Sequence, residues 1–433
     1  MRAALFHHRI AELHSAIPEG EREKKALKQH TVSVKVARPM SLHRLRSLTR
    51  RSLFDPMNQR SPASWLRTVA TFLLFVLITL GLLEGALRLT VDRGTLYRGL
   101  SLYPELNRKK FESEFSKQYA DKPFNMETYD PHLGWDFDIR GDRIRGKENY
   151  PLKKPASGYR IVAIGDSFAY GTDVDTAESF PSHLEQILCN TEVLNMGVPG
   201  YGIDQAVFKY LAHGKAYAPD AVILGIFLDD YERASVSFHA FSKPWIRPDE
   251  AGNYRLANRP VPLPQTELER IRSEEAHELY SLALLRNLWM RFNTLIQGEK
   301  SALDRIDGAV VHILKALQSE LRDTGTQLLI VQIPGANMFT RPETPWERTV
   351  SKHLIKIYRA LGIPYVDLYS AFRAQHAPEE IFGKFYVRLA NGTTGHLSAA
   401  GNAETAKQII EALRSIDARL PPHICPAQAK PPT

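Results

Sequence analysis

From Tyr159 onward the chain alternates short apolar runs with longer amphipathic stretches. The runs Arg160–Ile164, Val193–Met196, Ala221–Phe227, Gln327–Ile333 and Pro364–Leu368 are short, rich in β-branched residues and bounded by Gly, Pro or Asp. They predict strands. Between them, Phe180–Leu188, Gln205–Ala212, Ile306–Leu321, Glu347–Leu361 and Ala400–Arg414 carry apolar positions at helical spacing. Strands alternating with helices of this length predict an α/β fold, a three-layer sandwich around a mostly parallel sheet. Ligands of such sheets bind beyond the carboxyl ends of the strands, which directs attention to the residues after each one. Residues 235–300 interrupt the alternation with aromatics (Phe238, Phe241, Trp245) and a Pro-rich stretch, Pro260-Val261-Pro262 with Pro264. They are expected to be an insertion, either on the catalytic face or over the surface.

A different pattern precedes this region. Val69 to Leu83 carry no charge, and Trp65 to Leu83 are broken only by Arg67. Nineteen helical residues span about 28 Å, close to the hydrocarbon thickness of a bilayer. Trp65 and Arg67 suit one interface, while Glu84 and Arg88, one turn apart, suit the other. A buried core helix would show a polar face. A cleaved signal peptide would be shorter and end in small residues, where this chain continues Glu-Gly-Ala-Leu-Arg. The expectation is an uncleaved transmembrane helix over 65–89 that contacts the bilayer through Trp65–Leu89.

Charge changes the picture by its distribution. The net charge is +8, but residues 1–67 hold 14 Lys or Arg against 5 acids, leaving the other 366 residues at −1. A +9 flank before an apolar helix reports orientation, with the N-terminus in the cytoplasm and the following domain on the other side of the membrane. A near-neutral body argues against nucleic acid as a partner. Residues 1–64 are expected to form a basic, disordered cytoplasmic tail, whose first 56 residues are alternatively an over-extended start ahead of Met57. Residues 90–150 are expected to form a stem, 151–416 the α/β domain with its insertion at about 235–300, and 417–433 a Pro-rich tail. Two cysteines, Cys189 and Cys425, permit one disulfide tying the tail to the domain, or two unpaired thiols.

Four segments after predicted strands carry chemistry. The first is Gly165-Asp166-Ser167, where a sharp strand-to-helix turn exposes a hydroxyl. Next come Asn195-Met196-Gly197, a Gly that lets backbone approach a substrate, and Leu228-Asp229-Asp230. The fourth is Gly395-His396-Leu397-Ser398, a His just before a helix. Each alone has an ordinary reading as a turn or a cap.

Together, in this order, they resemble the SGNH/GDSL-type hydrolases over residues 125–415, most closely membrane-anchored bacterial members. Tyr129–Trp135, Lys243-Pro244 and Pro260-Val261-Pro262 are similar to the same subgroup. The resemblance implies an SGNH-hydrolase or flavodoxin-like fold and an esterase or O-acyltransferase that uses no cofactor. By it Ser167 is the nucleophile, His396 the general base, and the N–H groups of Ser167 and Gly197 oxyanion donors. Small acyl esters or a cell-envelope glycan are the implied substrates.

Two positions depart from the family pattern. Asp229 stands where an Asn amide normally donates to the oxyanion, and an ionised carboxylate only accepts. Raised in pKa, Asp229 donates as a neutral acid. Thr393 and Thr394 stand where an Asp normally orients the His. Either Thr fixes the ring without stabilising its charge, or an acid elsewhere (Asp229, Glu379 or Glu380) substitutes. The alternative function is a degenerate SGNH fold serving as a glycan-binding or scaffold protein. Asn391-Gly392-Thr393 matches a glycosylation sequon beside the presumed base and is taken as a chance match.

Overall fold

The computed structural model describes residues 62–99, 103–137, 141, 143–146, 150–297 and 300–421. Two units divide the chain, Met1–Ala86 and Leu87–Thr433. Helix α1 (Pro62–Thr90) carries the apolar stretch, and none of that stretch is buried. Among the described residues it is the one helix long and apolar enough to cross a membrane. The expected basic tail 1–64 lies outside the described residues except for its last three, and so does Cys425 with its proposed pairing to Cys189.

Residues 90–150 form two helices, α2 (Arg93–Leu96) and α3 (Pro104–Gln118), and a two-strand ribbon of β1 (Tyr129–Asp130) and β2 (Gly134–Trp135). The ribbon packs directly on the α/β domain. Trp135 Nε1 donates to Pro199 O at 3.0 Å, and Gln205 Nε2 donates to Leu133 O at 2.8 Å. Lys209 and Asp136 form a fully buried ion pair at 2.8 Å.

The α/β domain is built from β3 (Tyr159–Ile164), α4 (Ser167–Tyr170), α5 (Phe180–Ile187), β4 (Thr191–Asn195), α6 (Ile203–Ala212), β5 (Ala221–Phe227) and α7 (Asp229–Arg233). An insertion follows with a hairpin, β6 (Trp245–Pro248) and β7 (Tyr254–Ala257), and helices α8 (Pro264–His277) and α9 (Tyr280–Gln297). The domain resumes with α10 (Lys300–Thr324), β8 (Gln327–Ile333), α11 (Pro345–Leu361), β9 (Tyr365–Asp367), α12 (Leu368–Gln375) and α13 (Pro378–Lys384). A second hairpin, β10 (Tyr386–Arg388) and β11 (Thr394–Leu397), leads into α14 (Ala399–Ile416).

The five-stranded sheet has the order β4-β3-β5-β8-β9 and every pairing is parallel. All six residues of β3 are buried, as a parallel strand covered on both faces requires. Alternate residues feed opposite cores. Val162 and Ile164 face α6, α10 and α11, whereas Ile161 and Ala163 face α5, α12 and α14. This is the predicted three-layer sandwich, and each of the five predicted runs forms one of its strands. The chain runs from β3 to β4 on one side and then to β5 on the other, so the strand order reverses at β3. A crevice opens at such a point, beyond the carboxyl end of β3.

Candidate active site

At the end of β3 the chain turns through Gly165, whose φ of +151° and surroundings admit no side chain. A Cβ there would lie 2.6 Å from Gly225 O and 2.9 Å from Ala169 Cβ. Asp166 then caps α4, its Oδ1 accepting the Phe168 N–H at 2.9 Å. Ser167 is thereby the first helical residue. Its N–H finds no acceptor among the described residues.

His396 arrives from the other end of the chain on β11. Its Nε2 lies 2.8 Å from Ser167 Oγ. Phe168 meets the imidazole edge-on, with ring centroids 4.7 Å apart. Ser167 Oγ also lies 3.2 Å from Asp166 Oδ2, but the histidine is the shorter and hence the preferred acceptor.

The acid that completes this arrangement is Asp173. Its Oδ2 lies 2.8 Å from His396 Nδ1 and accepts the His396 backbone N–H at 2.8 Å. Burial works against ionisation of Asp173, but these two hydrogen bonds from His396 outweigh it and hold the carboxyl below its ordinary value. An ionised Asp173 accepts only, so the proton between them sits on Nδ1, which leaves Nε2 free to accept from Ser167.

Thr393 and Thr394 do not orient the ring. Thr393 Oγ1 donates to Asn391 Oδ1 at 2.6 Å, and Thr394 pairs across the hairpin with Arg388. Nor do the acids named as substitutes. Glu380 faces His376 at 3.4 Å, Glu379 makes no contact with His396, and Asp229 lies among Arg233, Asp166 and Lys110. Asp173 lies six residues past Ser167 and 223 before His396, where no motif spacing marks it.

Two features hold Asp173 in place. Arg145 donates to the carbonyls of Tyr170 and Gly171 (the latter at 2.5 Å) and of Val174 at 2.9 Å, and its guanidinium lies 4.1 Å from the Tyr170 ring centroid. It therefore clamps the 170–174 turn from both ends. On the other side, a Cβ on Gly395 would lie 2.2 Å from Asp173 Oδ2, so only glycine lets the carboxylate reach the adjacent His396.

Gly197 stands against α4, where a Cβ would lie 2.4 Å from Tyr170 N. Its N–H donates to Asn195 Oδ1 at 3.0 Å and so is already engaged. Asp229 opens α7 beside the site. Burial pushes its carboxyl above the ordinary range; Arg233 opposes this and Asp166 reinforces it. Behind it Arg233 bridges Asp230 at 2.8 Å and Asp166 at 3.4 Å, tying the end of β5 to the turn that carries Ser167. No group of three or more metal-binding side chains occurs among the described residues.

Residues 163–404, more than half of the chain, match the GDSL-like lipase/acylhydrolase family. No curated protein matches. Among solved structures, a putative lipolytic protein of the G-D-S-L family from Desulfitobacterium hafniense DCB-2 is 14% identical, over 59% of this chain and 100% of that one, with a TM-score of 0.33. A lipase/acylhydrolase from Enterococcus faecalis is 14% identical over 63% and 100%, with a TM-score of 0.34. An acetylxylan esterase from Geobacillus stearothermophilus is 14% identical over 60% and 96%, with a TM-score of 0.34. With its fold, its motif order and the family match in agreement, the chain belongs to the GDSL-like lipase/acylhydrolase family of ester hydrolases.

Proposed function

We propose that this protein is a membrane-anchored serine esterase or O-acyltransferase whose catalytic triad is Ser167, His396 and Asp173. The observation that carries this reading is the unbroken relay of 2.8 Å contacts from Ser167 Oγ through the imidazole to Asp173. As Ser167 Oγ attacks an ester carbonyl, its proton passes to His396 Nε2, and Asp173 stabilises the imidazolium. The tetrahedral oxyanion receives the Ser167 N–H. Asp229, whose carboxyl is raised by burial, is its second donor when protonated, in the role an Asn amide plays elsewhere in the family. Collapse breaks the bond to the leaving alcohol, which takes the proton from His396, and leaves an acyl-serine. Water or a glycan hydroxyl then gives its proton to His396 and attacks the acyl group, releasing a carboxylic acid or a new ester.

The apolar α1 and the +9 flank ahead of it support anchoring in a bacterial cytoplasmic membrane with the catalytic domain outside. Acyl esters of an envelope glycan suit that setting. The scaffold reading drew on two departures together, Asp229 in place of an Asn and no acid just before His396; the Asp173 contact answers the second and favours the esterase reading.

A fluorophosphonate probe tests the assignment. The wild type should be labelled at one serine, Ser167→Ala should not be labelled at all, and Asp173→Asn should react about 10⁴-fold more slowly. A labelled Ser167→Ala, or Asp173→Asn as reactive as wild type, would sink the proposed triad.

A further inference from the structure

Among the described residues, helix α9 (Tyr280–Gln297) leaves one of its faces unpartnered. Leu282, Leu285, Leu288, Trp289, Phe292 and Ile296 are all more than half exposed, and the nearby Leu295 is 85% exposed. Their spacing of three and four residues sets them along one stripe. The opposite face is well used. Ala283 is buried against Leu96 and Tyr97, the buried Asn287 side chain donates to Leu96 O, and Arg291 donates to Arg98 O at 2.7 Å. A stripe of this size in water is a liability unless something covers it.

The packing of α9 indicates what covers it. Its buried face rests on Leu96, Tyr97, Arg98 and Tyr103, which follow soon after the apolar helix. At its N-terminal end Arg88, in the last turn of α1, donates to Glu278 O and lies 5.0 Å from the Tyr280 ring centroid. If α1 ends at a bilayer surface, α9 is held within a few residues of that surface by direct contacts. The stripe carries a Trp, and Arg286 flanks it, a combination suited to the headgroup boundary.

We propose that α9 lies on the membrane, with its Leu/Trp/Phe stripe sunk into the outer edge of the lipid leaflet. This rests on the reading of α1 as a bilayer anchor. The occupant of the stripe is lipid.

The full chain, reconstituted into phosphatidylcholine/phosphatidylglycerol vesicles with or without bromine on the upper acyl carbons, tests this. Comparison with Trp289→Phe and Trp65→Phe isolates the fluorescence of Trp289 on α9 and of Trp65 on α1. Brominated lipid should quench both. Leu285→Glu/Phe292→Glu, which alters exposed positions only, should lose the Trp289 quenching while keeping that of Trp65 and the esterase turnover. Quenching of Trp65 alone in the wild type overturns the proposal and leaves the anchor intact. Quenching of neither removes the anchor and the proposal with it. A Trp289 shielded from aqueous iodide yet unquenched by bromine assigns the stripe to a second copy of the chain and also overturns the proposal.

Discussion

At the residue scale, two carboxyls near Ser167 are driven in opposite directions by their neighbours. Asp173 takes two hydrogen bonds from His396 and is held ionised, which is the state that orients and stabilises an imidazolium. Asp229 is half-buried, with Asp166 nearby, and is pushed toward the neutral form, which is the state that donates. Environments that separate two like groups in this way assign them different tasks. Because the folded pKa of Asp229 is raised, its contribution to stability is fully present below the ordinary carboxylate range and is lost as pH rises through the raised value. Asp229→Asn has no such proton to lose. Its melting temperature should therefore gain on wild type as pH is raised from 4 to 7, and its turnover should persist. Asp229→Ala should lose about 10²–10³-fold in kcat, the effect of removing one oxyanion donor. An Asp229→Ala variant with full activity would remove this residue from the oxyanion site.

At the scale of elements, the triad depends on three loops meeting: the elbow after β3, the 170–174 turn, and the start of β11. The elbow is written locally, since Gly165, Asp166 and Ser167 supply the turn, the cap and the hydroxyl in succession. The meeting of the other two is not local. It requires Arg145, from the segment before β3, to gather three carbonyls of the turn, and it requires Gly395 to leave room for the carboxylate. Gly395→Ala adds one methyl at 2.2 Å from Asp173 Oδ2 and should push the acid off the imidazole. Its kcat should fall toward the level of Asp173→Asn, about 10⁴-fold down, with KM and melting temperature little changed. Steady-state kinetics beside a thermal melt separates this from a folding defect, and unchanged kcat would show that the acid has another route to His396.

At the scale of the whole molecule, buried ion pairs fasten the added segments to the sandwich. Lys209–Asp136 holds the β1–β2 ribbon on α6, and Lys243–Asp204 holds the start of the insertion on the same helix, with all four side chains fully buried. Burial pushes Asp204 up to about 6 even with Lys243 beside it. Lys243→Met strands that carboxyl and should cost about 3–5 kcal/mol of unfolding free energy at neutral pH. Without Lys243 the carboxyl takes up its proton above that value, so the loss should shrink as pH falls toward 6, which denaturant titrations at pH 5 and 8 will read directly. Loss of equal size at both pH values would mean that packing, not charge, is what Lys243 supplies. The sequence by itself determined the sandwich, because strands buried on both faces must be written as continuous apolar runs. It also determined the apolar helix, the place of Ser167 and the place of His396, because each rests on neighbours within a few positions. The partnership of Asp173 with His396 was decided by tertiary structure alone. A catalytic acid needs only to arrive within hydrogen-bond distance of the ring, and a contact across 223 residues leaves no periodicity or spacing in the chain to announce it.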